Sequence, residues 1–328
     1  MTTALTRRAV GAAWATALLT LAGTAQAQPA YPNKPIRIIV PFAPGAVVDM
    51  LPRDIGNELA KRWGQPVVIE NKPGASSMIG AEYVARAAPD GYTLLMATSS
   101  TLSVAPHLFT KLRFAPLKDL TPITLTATAP NVLMVPNSSG SNSVADLVSR
   151  AKAAPGKLSY ASAGVGGILH LQAEAFMRAT GTDLIHVPYQ GSQQAVGDLI
   201  SNRVQMMIDI YGSNAGNLSE GKFKPLAVMS KARLPELPRV PTIGEAGYPQ
   251  LAADIWFGLA APVKTPPELV QKLSREIADI LAMPAMREKY NALGVRAAGS
   301  TPEQMQQLID SEGKRWSAVI REAQIKVD

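Results

Sequence analysis

Residues 36–50 read IRIIVPFAPGAVVDM and decide how the chain begins to fold. The apolar run predicts a buried strand over residues 36–42. Pro52 has no backbone N–H and suits the first turn of a helix, which predicts a helix over about residues 48–63 and leaves residues 41–47 as an open loop. A strand, a Gly/Pro turn and a helix start bring free backbone amides and the positive end of a helix together. The stretch therefore predicts a place to hold an anion, either a carboxylate or a phosphate.

Short apolar runs alternate with helix-length segments along most of the chain, which is the pattern of βαβ units and parallel sheets. Two such sets are followed by a helical tail. We expect an α/β protein of two lobes, each with a doubly wound sheet. The predicted strands are residues 36–42, 67–70, 92–97, 132–135, 158–163, 184–187 and 204–210. The predicted helices are residues 48–63, 78–88, 144–154, 168–180, 195–201 and two C-terminal helices that are capped at Thr265 and Thr301.

The first 27 residues are predicted to be a secretory signal. They contain the pair Arg7-Arg8, an apolar run over residues 9–22 and the cleavage site Ala25-Gln26-Ala27. The run is shorter than the ~20 apolar residues that a membrane anchor needs. We therefore expect cleavage after Ala27 and a periplasmic protein. The adjacent arginines leave both the Sec and the twin-arginine export routes open.

The composition excludes several classes of function. The chain has 328 residues and no cysteine, which excludes thiol catalysis, CxxC redox chemistry and cysteine-bound zinc. Without the signal it carries 30 basic and 25 acidic residues, a net charge of +5 that is scattered and forms no basic run. Such a surplus does not indicate nucleic-acid binding, but it suits an anionic small molecule.

Motifs for catalysis, metals and cofactors are missing from the sequence. None of His107, His170 and His186 has the spacing of a metal site. No G-x-S-x-G nucleophile motif occurs, and a glycine loop at residues 164–167 has Leu169 where a dinucleotide loop has its third glycine. Loops rich in glycine, alanine and hydroxyl residues instead follow three predicted strands, at residues 41–48, 98–101 and 162–167. Binding groups without a reactive group favour a receptor over an enzyme.

Several short motifs, taken with their order and spacing, point to one family. They are YPNKPI at residues 31–36, PFAPG at 41–45 with Asp49, VIENKPGA at 68–75, PDGYTL at 89–94, YASAG at 160–164 with His170-Leu171, VPY at 187–189 with Gly191, and VPT at 240–242. On these motifs the chain resembles the Bug-type extracytoplasmic solute receptors, the TctC-like substrate-binding proteins of tripartite tricarboxylate transporters. The resemblance runs from about Tyr31 to near the C-terminus.

The resemblance implies a two-lobed periplasmic binding protein of type II topology, a Venus-flytrap with a two-strand hinge. Lobe 1 would comprise residues 28–130 and 229–328, including the C-terminal helices, and lobe 2 residues 131–228. The implied ligand is a small organic carboxylate, which a monomeric protein binds without a cofactor or metal. The implied partners are the membrane permease subunits of a tripartite tricarboxylate transporter. Two alternatives stay open: a receptor that presents a carboxylate to a membrane sensor kinase, and an exported enzyme.

In this family the ligand is held by backbone amides, hydroxyl groups and water from loops of both lobes. Transferred to this chain, the implied ligand-binding residues are Phe42, Ala43, Pro44, Gly45, Ala46, Asp49, Ser99, Ser100, Ser162, Ala163, Gly164, Gly166 and Gly167. Two further candidates are Tyr189, as a cleft or hinge residue, and Asp209, which lies near a strand end and could instead cap a turn. Asp49 also has two interpretations: a contact to a ligand ammonium or hydroxyl group, or a cap at the start of its helix.

The chain departs from the family pattern within these loops. Ala46 stands where the family usually has a second glycine, Val48 where a polar residue is frequent, and Gly167 where a serine is common. The added methyl groups make one side of the pocket more apolar, and the missing hydroxyl makes the other side roomier. We therefore expect a carboxylate with an apolar or aromatic body, and we expect residues 46–48 to select which acid binds.

Overall fold

Two mixed β-sheets, each packed against helices, make up the fold. The structure is a computed structural model that describes residues 31–45, 47–109, 111–325 and 327. The predicted signal, residues 1–27, lies outside the described residues, and so does Ala46.

The first sheet combines the N-terminal strands with one long strand from near the C-terminus. Its strands are β1 (Ile36–Val40), β2 (Val67–Asn71), β3 (Thr93–Thr98), β4 (Leu120–Ala129), β10 (Ile255–Pro262) and β11 (Arg296–Ala297), in the order β11-β4-β10-β3-β1-β2. β1 is parallel to β2 and β3, whereas β10 runs antiparallel to β3 and β4, and β11 antiparallel to β4. β3 and β10 are buried along their whole length, as expected for central strands that are covered on both faces.

The second sheet is built from the middle of the chain. Its strands are β5 (Asn131–Pro136), β6 (Ser159–Ser162), β7 (Ile185–Pro188), β8 (Met206–Ile210) and β9 (Phe223–Val228), in the order β7-β6-β8-β5-β9. β6 is parallel to β7 and β8, and β5 is antiparallel to β8 and β9. The chain passes from the first sheet to the second through Pro130 alone, between β4 and β5, and returns between β9 and β10.

Helices connect the strands and close the first sheet. They are α1 (Val47–Trp63), α2 (Met78–Ala85), α3 (Ala105–Leu108), α4 (Pro116–Asp119), α5 (Val144–Ala153), α6 (Ile168–Thr180), α7 (Ser192–Ile200), α8 (Tyr211–Ser219), α9 (Pro267–Ala282), α10 (Pro284–Ala292) and α11 (Pro302–Ala323). The two long C-terminal helices, α9 and α11, both contact β4. α9 buries Leu273, Ile277 and Ile280 on one face, because these positions follow the helical period.

The two-lobed α/β fold class predicted from the sequence is confirmed. The helix predicted over residues 168–180 is α6 with the same bounds, and the one predicted over residues 48–63 is α1, which begins one residue earlier. The expectation of parallel sheets was wrong in part, because β5 and β10 run against their neighbours. The residue ranges of the two lobes stay a prediction.

Strands β4, β9 and β10 and helix α8 were not predicted from the sequence. β4 contains Pro122 and buries the polar side chains of Thr124 and Thr126, so it shows no apolar run. α8 has the sequence YGSNAGNLS, whose glycines and asparagines are poor helix formers. In these segments tertiary contacts outweigh local preference.

Candidate functional site

A cleft of about 450 Å³ lies between the two sheets, where strands of both sheets end. Its lining follows the carboxyl ends of the parallel strands β1, β3, β6, β7 and β8, which is where α/β sheets bind ligands. Eight of the residues predicted from the sequence line this cleft: Phe42, Ala43, Pro44, Ser100, Ala163, Gly164, Gly167 and Asp209. The structure thus brings loops of both sheets to one cavity.

Four helices begin at residues that line the cleft or directly follow them. α1 begins at Val47, α6 at Ile168, α7 at Ser192, and α8 directly after Ile210. The N-cap residues of α6 and α7 are Gly167 and Gly191, which have no side chain to bond the first helical amides. Among the described lining residues there is no lysine or arginine. Attraction of an anion to this cleft would therefore depend on backbone amides and helix ends.

Much of the remaining lining is apolar. The apolar side chains that line the cavity are those of Phe42, Val47, Val48, Val165, Ile168, Leu169, Ile210, Ile255 and Phe257. Val165 is 44% exposed although it is apolar. The cleft thus offers amides for an anionic group and a hydrocarbon wall for the rest of a ligand.

Asp49 supports the loop of residues 41–45, called the first-sheet loop below, and is 4% exposed. Its Oδ2 accepts hydrogen bonds from the Gly45 amide at 3.0 Å and from Arg53 Nε at 3.1 Å, and its Oδ1 accepts from Arg53 Nη2 at 2.9 Å and from Asn71 Nδ2 at 2.8 Å. Burial alone would raise the pKa of Asp49, but the bonds from Arg53, Gly45 and Asn71 outweigh it and hold the pKa below its ordinary value. Asn71 Nδ2 also donates to Phe42 O at 3.0 Å. The carboxylate therefore ties the loop of residues 41–45 to α1 and β2.

The second-sheet loop of residues 162–167 rests on Ser162 and two histidines. Ser162 Oγ lies 2.7 Å from His186 Nε2, donates to Gly164 O at 3.1 Å and accepts from Gly164 N at 3.2 Å. The Gly166 amide donates to His170 Nδ1 at 3.1 Å. The rings of His170 and His186 stack with their centroids 4.1 Å apart. These bonds hold the loop in place, and its residues Ala163, Gly164, Val165 and Gly167 line the cleft.

Burial sets the protonation of this cluster. Burial, with a smaller contribution from the nearby His170, lowers the pKa of His186 to about 4, while Glu174 acts in the opposite direction. Burial also raises the pKa of the Tyr160 phenol, whose hydroxyl donates to Glu174 Oε1 at 2.7 Å. His186 is therefore neutral at ordinary pH and acts as a hydrogen-bonding support.

Asp209 is 1% exposed and is the second-to-last residue of β8, where this strand lines the cleft. Burial raises its pKa, while hydrogen bonds from the Ser192 hydroxyl, Asn214 and the Ile210 amide work in the opposite direction. Asn214 Nδ2 donates to Asp209 Oδ2 at 2.7 Å. The carboxyl group thus connects the starts of α7 and α8, both of which contribute residues to the cleft.

Other residues predicted from the sequence lie beside or behind the cleft instead of lining it. Ser99 is fully buried, and its Oγ has no hydrogen-bond partner among the described residues. The Tyr189 hydroxyl donates to Asp198 Oδ2 at 2.7 Å, outside the lining. Gly45, Asp49, Ser162 and Gly166 support the loops through the bonds given above. Their roles toward a ligand stay predictions.

Several lining residues were not predicted from the sequence. The polar ones are Thr98, His170, Gln190, Ser192 and Ser213. Ser192 follows the end of β7 and starts α7, which is the same strand–loop–helix pattern that drew attention to residues 41–50. The start of α7 was placed at residue 195, so this fourth loop was overlooked. Ile255 and Phe257 come from β10, where the sequence analysis predicted no strand.

Neither a metal site nor a membrane span is found in the part of the chain that the structure describes. No group of three or more His, Cys, Asp or Glu residues there is arranged to hold a metal ion. No helix among the described residues combines the length and the apolar character needed to cross a bilayer.

The fold and the cleft are those of a two-lobed solute-binding protein, and comparison with known proteins gives the family. The sequence profile of the "Tripartite tricarboxylate transporter family receptor" matches residues 51–325. Protein BugT of Bordetella pertussis is 36% identical over 298 residues, which cover 90% of this chain and 91% of BugT. A UPF0065 protein from the tcbD-tcbE intergenic region of Pseudomonas sp. strain P51 is 39% identical over 323 residues, which cover 98% of this chain and 96% of that protein. This chain belongs to the tripartite tricarboxylate transporter receptor family, whose Bug-type members the sequence motifs predicted.

Two similar solved structures carry ligands. Rpa4515 of R. palustris with adipate is 35% identical, with a TM-score of 0.82, and the match covers 90% of this chain and 99% of that one. MatC of Rhodopseudomonas palustris with bound malate is 33% identical, with a TM-score of 0.79, and the match covers 88% of this chain and 100% of that one. Both ligands are small organic acids with two carboxyl groups.

Proposed function

We propose that this receptor captures a small organic carboxylate in the cleft between its lobes and delivers it to the membrane permease subunits of a tripartite tricarboxylate transporter. The observation that carries the proposal is the lining of the cleft: four helix starts and no basic side chain among the described lining residues. Backbone amides at helix starts bind a carboxylate well, because they donate hydrogen bonds and lie at the positive end of the helix dipole. The adipate and malate of the two similar structures support the same class of ligand.

We propose further that the bound acid has an apolar or aromatic body. Val48 lies at the start of α1 and lines the cleft, together with Val165 from the loop before α6 and Phe257 from β10. Apolar surface that is covered by a ligand contributes about 25 cal/mol per Å². An acid with a hydrocarbon body gains this contribution, whereas a small polar amino acid has little apolar surface to cover and must also lose hydration of its ammonium group.

The protein is proposed to act by binding alone. The closest arrangement to a nucleophile and base is Ser162 with His186. Ser162 is 1% exposed and its hydroxyl is already bonded to both the amide and the carbonyl of Gly164. A histidine whose pKa is about 4 is a weak base near neutral pH. Export by the predicted signal, a periplasmic location and a monomeric state belong to the same proposal.

Titration calorimetry with benzoate, adipate, malate and aspartate tests the proposal. We expect one site per chain, with benzoate and adipate bound more tightly than malate and aspartate. Each bound acid should also raise the melting temperature, because a ligand that binds only the folded state stabilises it by mass action. Tightest binding of aspartate would refute the apolar-body part, and no binding of any acid in the panel would refute the carboxylate part.

A further inference from the structure

Ser100 bonds the first amide of a helix of the opposite lobe. It lies two residues after the end of β3 of the first sheet, whereas Ile168 is the first residue of α6, which packs on the second sheet. The Ile168 amide donates a hydrogen bond to Ser100 Oγ at 3.3 Å. The first four amides of a helix have no partner within the helix, and the side chain of the N-cap residue reaches only the amide of the second or third helical residue, so the first amide needs another acceptor.

The N-cap residue of α6 cannot satisfy this amide itself. Gly167 occupies the N-cap position with φ −73° and ψ 161°, the extended conformation in which a serine or threonine would cap. A Cβ built on Gly167 would meet no atom closer than Gly164 O at 3.8 Å. A side chain would therefore fit at this position, but as an N-cap it would accept from the amide of Leu169 or His170 and not from that of Ile168. The acceptor for the Ile168 amide is Ser100 Oγ.

Two further close approaches join the same pair of lobes. Leu108, at the end of α3, lies so close to Gly166 that a Cβ on this glycine would overlap Leu108 Cδ2. A Cβ on Gly212 would overlap the carbonyl oxygen of Leu293. Both glycines lie in segments that join strands of the second sheet, whereas Leu108 ends α3 and Leu293 follows α10, which belong with the first sheet. The two lobes thus touch each other in this structure, and Ser100 makes a polar contact between them.

We propose that Ser100 is a closure residue, whose hydroxyl accepts a hydrogen bond from the first amide of α6 in the opposite lobe and so favours the closed cleft over the open one. The inference rests on the proposed function, because closure matters for a protein that binds between its lobes. In the open form the amide and the hydroxyl are hydrated, and in the closed form they bond to each other away from water. A neutral hydrogen bond of this kind shifts an equilibrium about fivefold.

The test measures closure in the ligand-free protein. Because the chain has no cysteine, two substitutions on exposed positions of the two lobes, Val263→Cys and Ile200→Cys, allow a nitroxide label to be placed on each lobe alone. Pulsed dipolar EPR then gives the distribution of distances between the labels. In the Ser100→Ala variant we expect the ratio of short to long distances to fall about fivefold. Ser311→Ala, which removes an exposed hydroxyl from α11, should leave the ratio unchanged.

A second variant separates the hydrogen bond from any general effect of the substitution. Ser100→Thr keeps a hydroxyl group at this position, so the ratio should stay close to that of the parent protein. Circular dichroism melting of each variant verifies that it is folded. The proposal is overturned if Ser100→Ala leaves the distances unchanged, if Ser100→Thr lowers the ratio as much as Ser100→Ala does, or if the parent protein shows no short distances. Since no ligand is added, these outcomes do not depend on whether the cleft binds a carboxylate.

Discussion

Replacing Asp49 with asparagine tests how the first-sheet loop is held. Each carboxylate oxygen accepts two bonds: Oδ1 from Arg53 and Asn71, and Oδ2 from Arg53 and the Gly45 amide. The amide group of an asparagine at this position has one oxygen, so whichever way it turns, its NH₂ group faces two donors and two bonds are lost. Bonds to charged groups contribute about 1.5–3 kcal/mol each. The Arg53 side chain is 44% exposed, which weakens its share through solvent screening.

We therefore expect Asp49→Asn to lower the free energy of unfolding by about 2 kcal/mol near neutral pH. Urea denaturation followed by circular dichroism gives this value. Asp90→Asn is a matched control: Asp90 also contacts a cation at 2.9 Å, but both side chains are at least 40% exposed, so its cost should stay below about 1 kcal/mol.

The pH dependence of the same difference gives a second readout. The folded pKa of Asp49 is depressed, so its contribution to stability is present above the ordinary carboxyl pKa of about 3.9 and is lost as the pH falls through the folded value. The gap between wild type and Asp49→Asn should thus be constant from about pH 5 to 8 and should narrow in stronger acid. Equal costs for the Asp49 and Asp90 substitutions, or a gap that widens in acid, would refute the reasoning.

Three further predictions concern the second lobe and the cleft. The folded pKa of His186 is depressed from 6.5 to about 4, so the unfolded chain takes up a proton before the folded chain does as the pH falls. Between about pH 6.5 and 4, the free energy of unfolding of wild type should therefore fall by about 1–2 kcal/mol relative to that of His186→Gln, as measured by urea denaturation. Parallel pH curves for the two proteins would contradict this. Gly212→Ala should weaken the binding of adipate in calorimetry and lower the melting temperature, because the added Cβ would overlap Leu293 O. Gly216→Ala, in the same helix, places its Cβ in open space and should be neutral or slightly stabilising. Similar effects of the two changes would contradict the close approach. Val165→Ser should weaken benzoate binding by about 1 kcal/mol, roughly fivefold. The melting temperature of the ligand-free protein should change little, because the Val165 side chain is 44% exposed. Unchanged affinity would show that Val165 does not contact the acid.

The parts of the site that follow local rules could be predicted from the sequence. The IRIIV run, the Pro/Gly loop and Pro52 placed β1, the loop and α1 within two residues of their bounds. The glycine loop before α6 could also be assigned, because a strand and a clear amphipathic helix flank it. Eight of the predicted site residues consequently line the cleft.

The remaining features depend on contacts between distant segments. The direction of β10 is set by its neighbours β3 and β4, which no local pattern reveals. Gly258 lies in the middle of β10, and Met305 packs closely against it. A glycine weakens the sequence signal for a strand, but at this position the close packing requires it. The bond from Ile168 to Ser100 joins residues 68 positions apart. Pairing of this kind becomes visible only when the sheets are assembled.

The central claim is that backbone amides in the cleft hold the carboxylate group of an acid. Calorimetric titration with benzoate and with benzamide tests it most directly, because the two probes have nearly the same shape and differ in charge. The account predicts that benzoate binds with one site per chain and that benzamide binds at least about tenfold more weakly, a difference of ~1.4 kcal/mol. Equal affinities for the two, or tighter binding of benzamide, would contradict it.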